Sequence, residues 1–256
     1  MSQTLLSTLT GDIANFFSDL KRKSEDEKNR ISTVFNSECL FQLELSMFLK
    51  DSGHYDEVTL EYHIPKEIVA EMAPRTNYPW SEDSMYVDIV VRKGEEYLPI
   101  ELKYVTDSFV PKVSSNLLGT VFTSDKNPIE FLKRHGAHDI RCYDFWKDVR
   151  RIEFLKDSFP HVVGGISLFL TNEESYRREP KKTAAYYNFG ITDKRPAPRK
   201  KEWLEEVKTA DGRPGFTNSR DYDIKWEDIT LCYKASLGEE TKVEVLQFYY
   251  CMIEIA

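Results

Sequence analysis

The chain has 256 residues, 41% hydrophobic and 30% charged, with a net charge of −8. That length buries one sizeable core without staples, and the balance suits a globular protein, not a fibrous, disordered or disulfide-dense one. No apolar run approaches the roughly 18 residues that cross a bilayer, and residues 1–20 lack the basic start and unbroken apolar stretch of a secretory signal, so a cytoplasmic protein without membrane contact is expected.

Leu5, Leu6, Leu9, Ile13, Phe16, Phe17 and Leu20 recur at helical spacing and predict an amphipathic first helix. The charged run from Lys21 to Arg30 reads as its solvated end, or as a hinge; residues 1–30 are taken as a helical arm. A second helix is expected over Ser32–Lys50, with Asn36 or Ser37 as cap and Gly53 beyond its end. Val58–Ile64 alternates like a strand that Pro65 terminates. Lys66–Met72 has room for a turn or two of helix, and Arg75–Asp83 is loop. Met85–Val91 and Tyr97–Val105 are rich in β-formers and are separated by the polar turn Lys93-Gly94-Glu95-Glu96. Two such runs around so short a turn form an antiparallel hairpin.

Thr106–His138 shows no clear period. Asp139–Lys156 predicts a long helix, and Val162–Leu170 a strand apolar on both faces. A strand reached through a helix is a right-handed crossover, so it should lie parallel to Tyr97–Val105. Arg177–Asn218 is irregular, with a short helix near Lys201–Thr209. Asp223–Tyr233 and Lys242–Ile255 read as two further strands. The core, residues 31–172, therefore runs α-β-β-β-α-β, and 173–256 is an extension packed on it. Cys39, Cys142, Cys232 and Cys251 form no CxxC pair, as expected of reduced thiols.

The chemistry lies in the hairpin. Asp88 sits among Val87, Ile89 and Val90, where an unpaired buried charge would cost several kcal/mol. Glu101 and Lys103 are two apart in the next strand and so share one face. A hairpin turning at Gly94 brings Asp88 opposite the neighbourhood of Glu101. Two carboxylates offer hard oxygen ligands for Mg²⁺ or Mn²⁺, with the Leu102 carbonyl as a third donor. Lys103 would orient or deprotonate a water, or neutralise charge in the transition state.

VDIVV and LPIELKY resemble the PD-(D/E)XK nuclease superfamily, whose pattern is an acid in one strand and E-x-K in the next. The resemblance covers about Ser32 to Leu170; where the family has proline before its first acid, this chain has Val87. It implies a restriction-endonuclease-like core, α/β with a mixed central sheet flanked by helices, here with an N-terminal helix and a C-terminal strand-containing extension. It also implies a further acid from the preceding helix, for which Glu38 is favoured over Glu44, with Gln42 and Glu61 in support. The alternative is a hairpin with a plain surface salt bridge between Asp88 and Lys103.

A nucleic-acid binder is usually basic, and this chain is not. Between Arg177 and Lys201, however, nine basic residues face two acidic ones, a balance of +7 that leaves −15 elsewhere. Arg177, Arg178, Lys181, Lys182, Lys194, Arg195, Arg199, Lys200 and Lys201, interleaved with tyrosines, suit phosphate contacts and base stacking, or else form a solvated loop. Arg141 and Lys147 of the long helix are secondary candidates for a phosphate. His135, His138 and Cys142 lack a fourth zinc ligand, and P-loop, GxGxxG and GxSxG motifs are missing. The expectation is a magnesium- or manganese-dependent nuclease acting on DNA more than RNA, with a homodimer as one form and bacterial defence as one setting. The rival is a catalytically inactive nuclease fold that binds nucleic acid or protein in a regulatory or defence assembly.

Overall fold

In the computed structural model, which describes residues 4–26, 31–80, 84–111, 130–237 and 240–256, helix α1 (Leu5–Glu25) starts where the Thr4 hydroxyl accepts the Ser7 N–H. Such a cap satisfies a donor that every helix start leaves without a partner. The charged stretch forms the end of the helix as far as Glu25, supported by pairs such as Lys23–Asp19 at 2.7 Å. Helix α2 (Glu38–Asp51) begins at Glu38, not Ser32, with the Ser37 hydroxyl accepting the Leu40 N–H at 3.2 Å. The helix expected as an arm is laid on the sheet: Leu9, Ile13, Phe16 and Phe17 are buried, and Phe17 stacks on Tyr250 with centroids 3.9 Å apart.

Strand β1 (Glu57–Ile64) is followed by α3 (Lys66–Thr76), which takes in Arg75 and Thr76 from the stretch expected as loop. Then come β2 (Met85–Lys93), β3 (Glu96–Val105), α4 (His138–Ser158) and β4 (Gly165–Thr171). Two-residue strands β5 (Pro196–Ala197), β6 (Lys200–Lys201), β7 (Phe216–Thr217) and β8 (Tyr222–Asp223) precede the long β9 (Trp226–Leu237) and β10 (Glu240–Ile255). The short helix expected near Lys201–Thr209 does not form: Lys200 and Lys201 pair with Thr217 and Phe216, and only Lys208–Ala210 makes a 3₁₀ turn.

Among the described residues the protein is thus α/β, with four α-helices and a mixed six-stranded sheet in the order β1-β2-β3-β4-β10-β9. Only β3 and β4 run parallel, through the expected α4 crossover; the other neighbours are antiparallel. The β2–β3 turn is the two residues Gly94 and Glu95, closed by the Lys93↔Glu96 pair, and Gly94 takes φ +59°. A positive φ at that place favours glycine.

Helices α1 and α2 cover one face of the sheet over Ile100, Leu102, Tyr104 and Leu168. Helices α3 and α4 and the stretch 172–226 cover the other, over Val87, Val105 and Phe169. At Gly165 a Cβ would lie 2.5 Å from Ile152 Cγ2 and 2.7 Å from the Pro99 carbonyl. Glycine there lets α4 lie close on the start of β4, which fixes the helix against β3. The four cysteines are unbridged. Among the described residues, no helix is long and apolar enough to cross a membrane.

Candidate active site

The site begins where two strand ladders fail at the same level. Strand β2 puts Met85, Val87 and Val90 toward α4 but Ile89 and Val91 toward α1 and α2. Strict alternation would keep Val87 and Ile89 on one face, so the phase of the strand changes at Asp88. Strand β1 changes likewise between Val58 and Ile64. Its pairs with β2 run Leu60↔Ile89 and then Tyr62↔Val87, skipping Glu61, whose φ is +49°. A non-glycine residue in that region costs of order 1 kcal/mol. Gln42, from α2, spans the gap: its Nε2 donates to the Asp88 carbonyl at 2.6 Å and to Glu61 Oε1 at 2.8 Å.

On the other side of β2, the pairing with β3 ends at Ile89↔Ile100. The next pair in that register is Asp88 and Glu101. Past that point, β3 offers unpaired main-chain groups to the opening, and carboxylates take the donors. Asp88 Oδ2 accepts the Leu102 N–H at 2.6 Å, and Glu38 Oε2 accepts the Tyr104 N–H at 2.7 Å. The structure therefore brings Asp88, Glu38, Gln42, Glu61, Glu101, Leu102 and Lys103 into one region. Glu44 lies on an exposed part of α2.

Glu101 and Lys103 share the α4 face of β3, where α4 meets them with two charges, Asp148 and Arg151. Lys103 Nζ is 2.8 Å from Asp148 Oδ2. Arg151 Nη1 lies 3.4 Å from Asp148 Oδ1 and 3.2 Å from Glu101 Oε1, and Nη2 donates to the Tyr86 carbonyl. Glu101 is 1% exposed and the Asp148 side chain 4%. Lys103 is thus paired from within the fold by Asp148; it is not half of a surface salt bridge with Asp88. Helix α4 is buried nearly all round, including Asp148, Arg150 and Glu153. Apolar residues on every side of a helix signal burial, and that was the available clue.

Burial pushes the Asp88 carboxyl up to about 6; the Leu102 N–H opposes this and the Asp148 charge adds to it. Glu101 is raised well above the usual carboxylate range by burial, with Arg151 opposing and Asp148 and Asp88 adding. Burial alone would lower Lys103, but Asp148, Glu38 and Glu101 outweigh it, and its ammonium is held charged more firmly than a free lysine.

Among the described residues, no group of three His, Cys, Asp or Glu is gathered for a metal ion. A smaller set of oxygens lies here: the Asp88 carboxylate, the Leu102 carbonyl, which accepts from Lys103 Nζ at 3.4 Å, and Glu101, whose Oε1 is buried and lacks an aligned hydrogen bond. The charges point the same way. Asp88, Glu101, Asp148 and Glu38 face Lys103 and Arg151, which leaves a deficit that one divalent cation would balance.

The basic segment is different from the expected patch. Arg177 pairs with Asp193 and Asp228, Arg178 with Glu174, Arg195 with Glu179, and Lys200 with Glu202. Arg199 donates to the Asn218 carbonyl. Lys201 is 0% exposed, with Nζ 3.4 Å from the Trp146 ring centroid and 3.2 Å from the Asn188 carbonyl; it is a core residue and no phosphate contact. Lys181, Lys182 and Lys194 are exposed. His135 accepts the Thr106 N–H, and His138 stacks on Tyr176, so both histidines have structural roles.

Compared with family models, with curated proteins and with solved structures, the chain matches none of them.

Proposed function

We propose that the chain is a metal-dependent phosphodiesterase of the PD-(D/E)XK kind, a nuclease acting on DNA more than RNA. The observation that carries this reading is the end of the β2–β3 ladder at Ile89↔Ile100, which leaves Asp88, Glu101 and the Leu102 carbonyl around an opened strand edge with Lys103 beside them. The order α2, β1, β2, β3, α4, β4, with α3 inserted, also agrees with a restriction-endonuclease-like core.

Asp88, Glu101 and the Leu102 carbonyl would hold Mg²⁺ or Mn²⁺, whose preference is for hard oxygen donors. Such an ion would polarise the phosphodiester and make water a better nucleophile. Lys103, kept charged by Asp148, neutralises negative charge on the phosphoryl oxygens and does not serve as the base. Glu38 supports the site by capping the Tyr104 N–H, and Gln42 and Glu61 hold the Asp88 main chain. The setting, restriction or defence, follows the family likeness alone, and a homodimer would serve cutting of both strands.

One observation favours a second reading. The row Glu101, Arg151, Asp148 and Lys103 is neutral by itself, as it would be in a fold that grips nucleic acid or protein without cutting. Incubation with plasmid, linear and single-stranded DNA and with RNA, in Mg²⁺ or Mn²⁺, separates the two. Cutting that disappears in Asp88→Ala and in Lys103→Ala supports the nuclease. Binding without cutting by the wild type supports the rival.

A further inference from the structure

A single nitrogen of Arg151 is shared among three carboxylate oxygens. Its Nη1 lies 3.2 Å from Glu101 Oε1, 3.3 Å from Glu101 Oε2 and 3.4 Å from Asp148 Oδ1. A guanidinium can set two nitrogens against two carboxylate oxygens, at about 2.7–2.9 Å each. Here one nitrogen straddles both oxygens of Glu101 from farther away, whereas Lys103 and Asp148 meet at 2.8 Å. We infer that Arg151 is the resident counter-ion of Glu101, held loosely enough to give the carboxylate up to a divalent cation, so that Arg151 sets how tightly the site binds metal. This rests on the metal-dependent nuclease reading above.

Both partners keep other contacts when this one is released. Asp148 retains Lys103. Arg151 retains the Tyr86 carbonyl, to which its Nη2 donates. Arg151 and Tyr86 also line an open cavity of about 440 Å³, and the Arg151 side chain is 17% exposed, so the guanidinium has space beside it. Arg150, the next residue of α4, is enclosed instead: its side chain is 6% exposed, pairs with Glu153 and donates to the Thr76 carbonyl.

Glu101 is also short of partners. It is buried, and its Oε1 has no aligned hydrogen bond. Ser167 is its neighbour in the β3–β4 register, and alternation from Phe169 puts Ser167 on the same α4 face. The Ser167 hydroxyl is buried too, and has no hydrogen-bond partner among the described residues. Buried polar groups are nearly always hydrogen-bonded. Two unsatisfied neighbours therefore mark a place that the protein's own groups leave incomplete. A hard cation that retains several waters offers a ligand bond to the carboxylate and hydrogen bonds to the hydroxyl, which Arg151 does not.

Calorimetric titration of the full chain with Mn²⁺, with no nucleic acid present, provides the test. Arg151→Gln should bind Mn²⁺ roughly five- to 150-fold more tightly than the wild type, the usual span for coupling between two binding events. Arg151→Lys, which keeps a charge on one nitrogen, should fall between them. Melting gives a readout that a merely structural role would not move. In EDTA, Arg151→Gln should melt below the wild type, because Glu101 has lost its counter-ion. Added Mn²⁺ should narrow that gap, because the tighter-bound ligand stabilises more. If Arg151→Gln does not fold in EDTA, a crystal structure of the wild type grown with Mn²⁺ decides. An ion at Asp88 and Glu101 with Arg151 off Glu101 supports the exchange, and an ion beside an unmoved Arg151 overturns it. Equal or weaker Mn²⁺ binding by Arg151→Gln also overturns it. The two readings fail separately. Metal-dependent cutting with equal Mn²⁺ affinity in both proteins removes the exchange alone. Tighter Mn²⁺ binding by Arg151→Gln with no cutting of any substrate removes the nuclease alone. Absence of Mn²⁺ binding in both proteins removes both.

Discussion

Lys103 and Asp148 meet at 2.8 Å, one from β3 and one from α4, and Asp148 also takes Arg151, which reaches Glu101. Beneath the sheet lies a row of four charges of alternating sign. Any one of them buried alone would cost several kcal/mol, so each is tolerable only because its neighbours are present. The row also sets the chemistry of Lys103, since an ammonium held charged can neutralise an oxyanion but cannot draw a proton.

Breaking the row should therefore show coupling. Lys103→Met leaves Asp148 with Arg151 alone and should destabilise the protein by about 3 kcal/mol. Asp148→Asn introduced with it should recover part of that loss. Urea unfolding of both single variants and the double variant gives the coupling energy; strictly additive losses would show that the contact contributes nothing specific.

Asp88 makes stability depend on pH. Its carboxyl is raised from 3.8 to about 6 in the folded state, mainly by burial. The folded state therefore binds more protons between those values, and stability is lost as pH rises from about 4 through 6. Asp88→Asn should raise the melting temperature at pH 8, by on the order of 2 kcal/mol of stability, and change it little at pH 4, while cutting is abolished. Mg²⁺ should stabilise the wild type more at pH 8 than at pH 5, because protons compete for Asp88. A pH-independent effect of Asp88→Asn would contradict this account.

Gln42 replaces a ladder hydrogen bond that β1 and β2 cannot make at Glu61 and Asp88. Gln42→Leu should cost about 1–3 kcal/mol by leaving the Asp88 carbonyl without a donor, and should lower activity by loosening Asp88. Gln42→Glu should be worse at pH 8 than at pH 5, since it sets a second carboxylate against Glu61. Melting curves at the two pH values decide it; equal losses would show that Glu61 is not the partner that matters.

Lys201 offers a check far from the site. Burial lowers its amine to about 7, with Asp221 opposing, so the folded state sheds protons that the unfolded chain keeps up to about 10.5. Stability should rise with pH across that window. Lys201→Met should stabilise at pH 6, by on the order of 2 kcal/mol, and less at pH 10, with nucleic-acid binding unchanged. A lower melting temperature at pH 6 would mean that the Trp146 ring and the Asn188 carbonyl outweigh the cost of burying the charge.

Local pattern alone was enough for several features. The spacing of Glu101 and Lys103 sets them on one face of β3, the short turn at Gly94 makes the hairpin, and the helix before Gly165 makes β4 parallel to β3. These follow from strand period, turn geometry and crossover handedness, which act over a few residues or one connection. Three matters belonged to the tertiary structure. The phase change at Glu61 and Asp88 depends on Gln42 arriving from α2. The roles of Asp148 and Arg151 depend on how closely α4 lies on Gly165 and β3. In the basic segment Arg177, Arg178, Arg195 and Lys200 are paired with acids and Lys201 is buried. The reason is the same in each case: periodicity tells which face a side chain takes, whereas a buried charge or a broken ladder is stabilised by whichever partner the rest of the fold delivers.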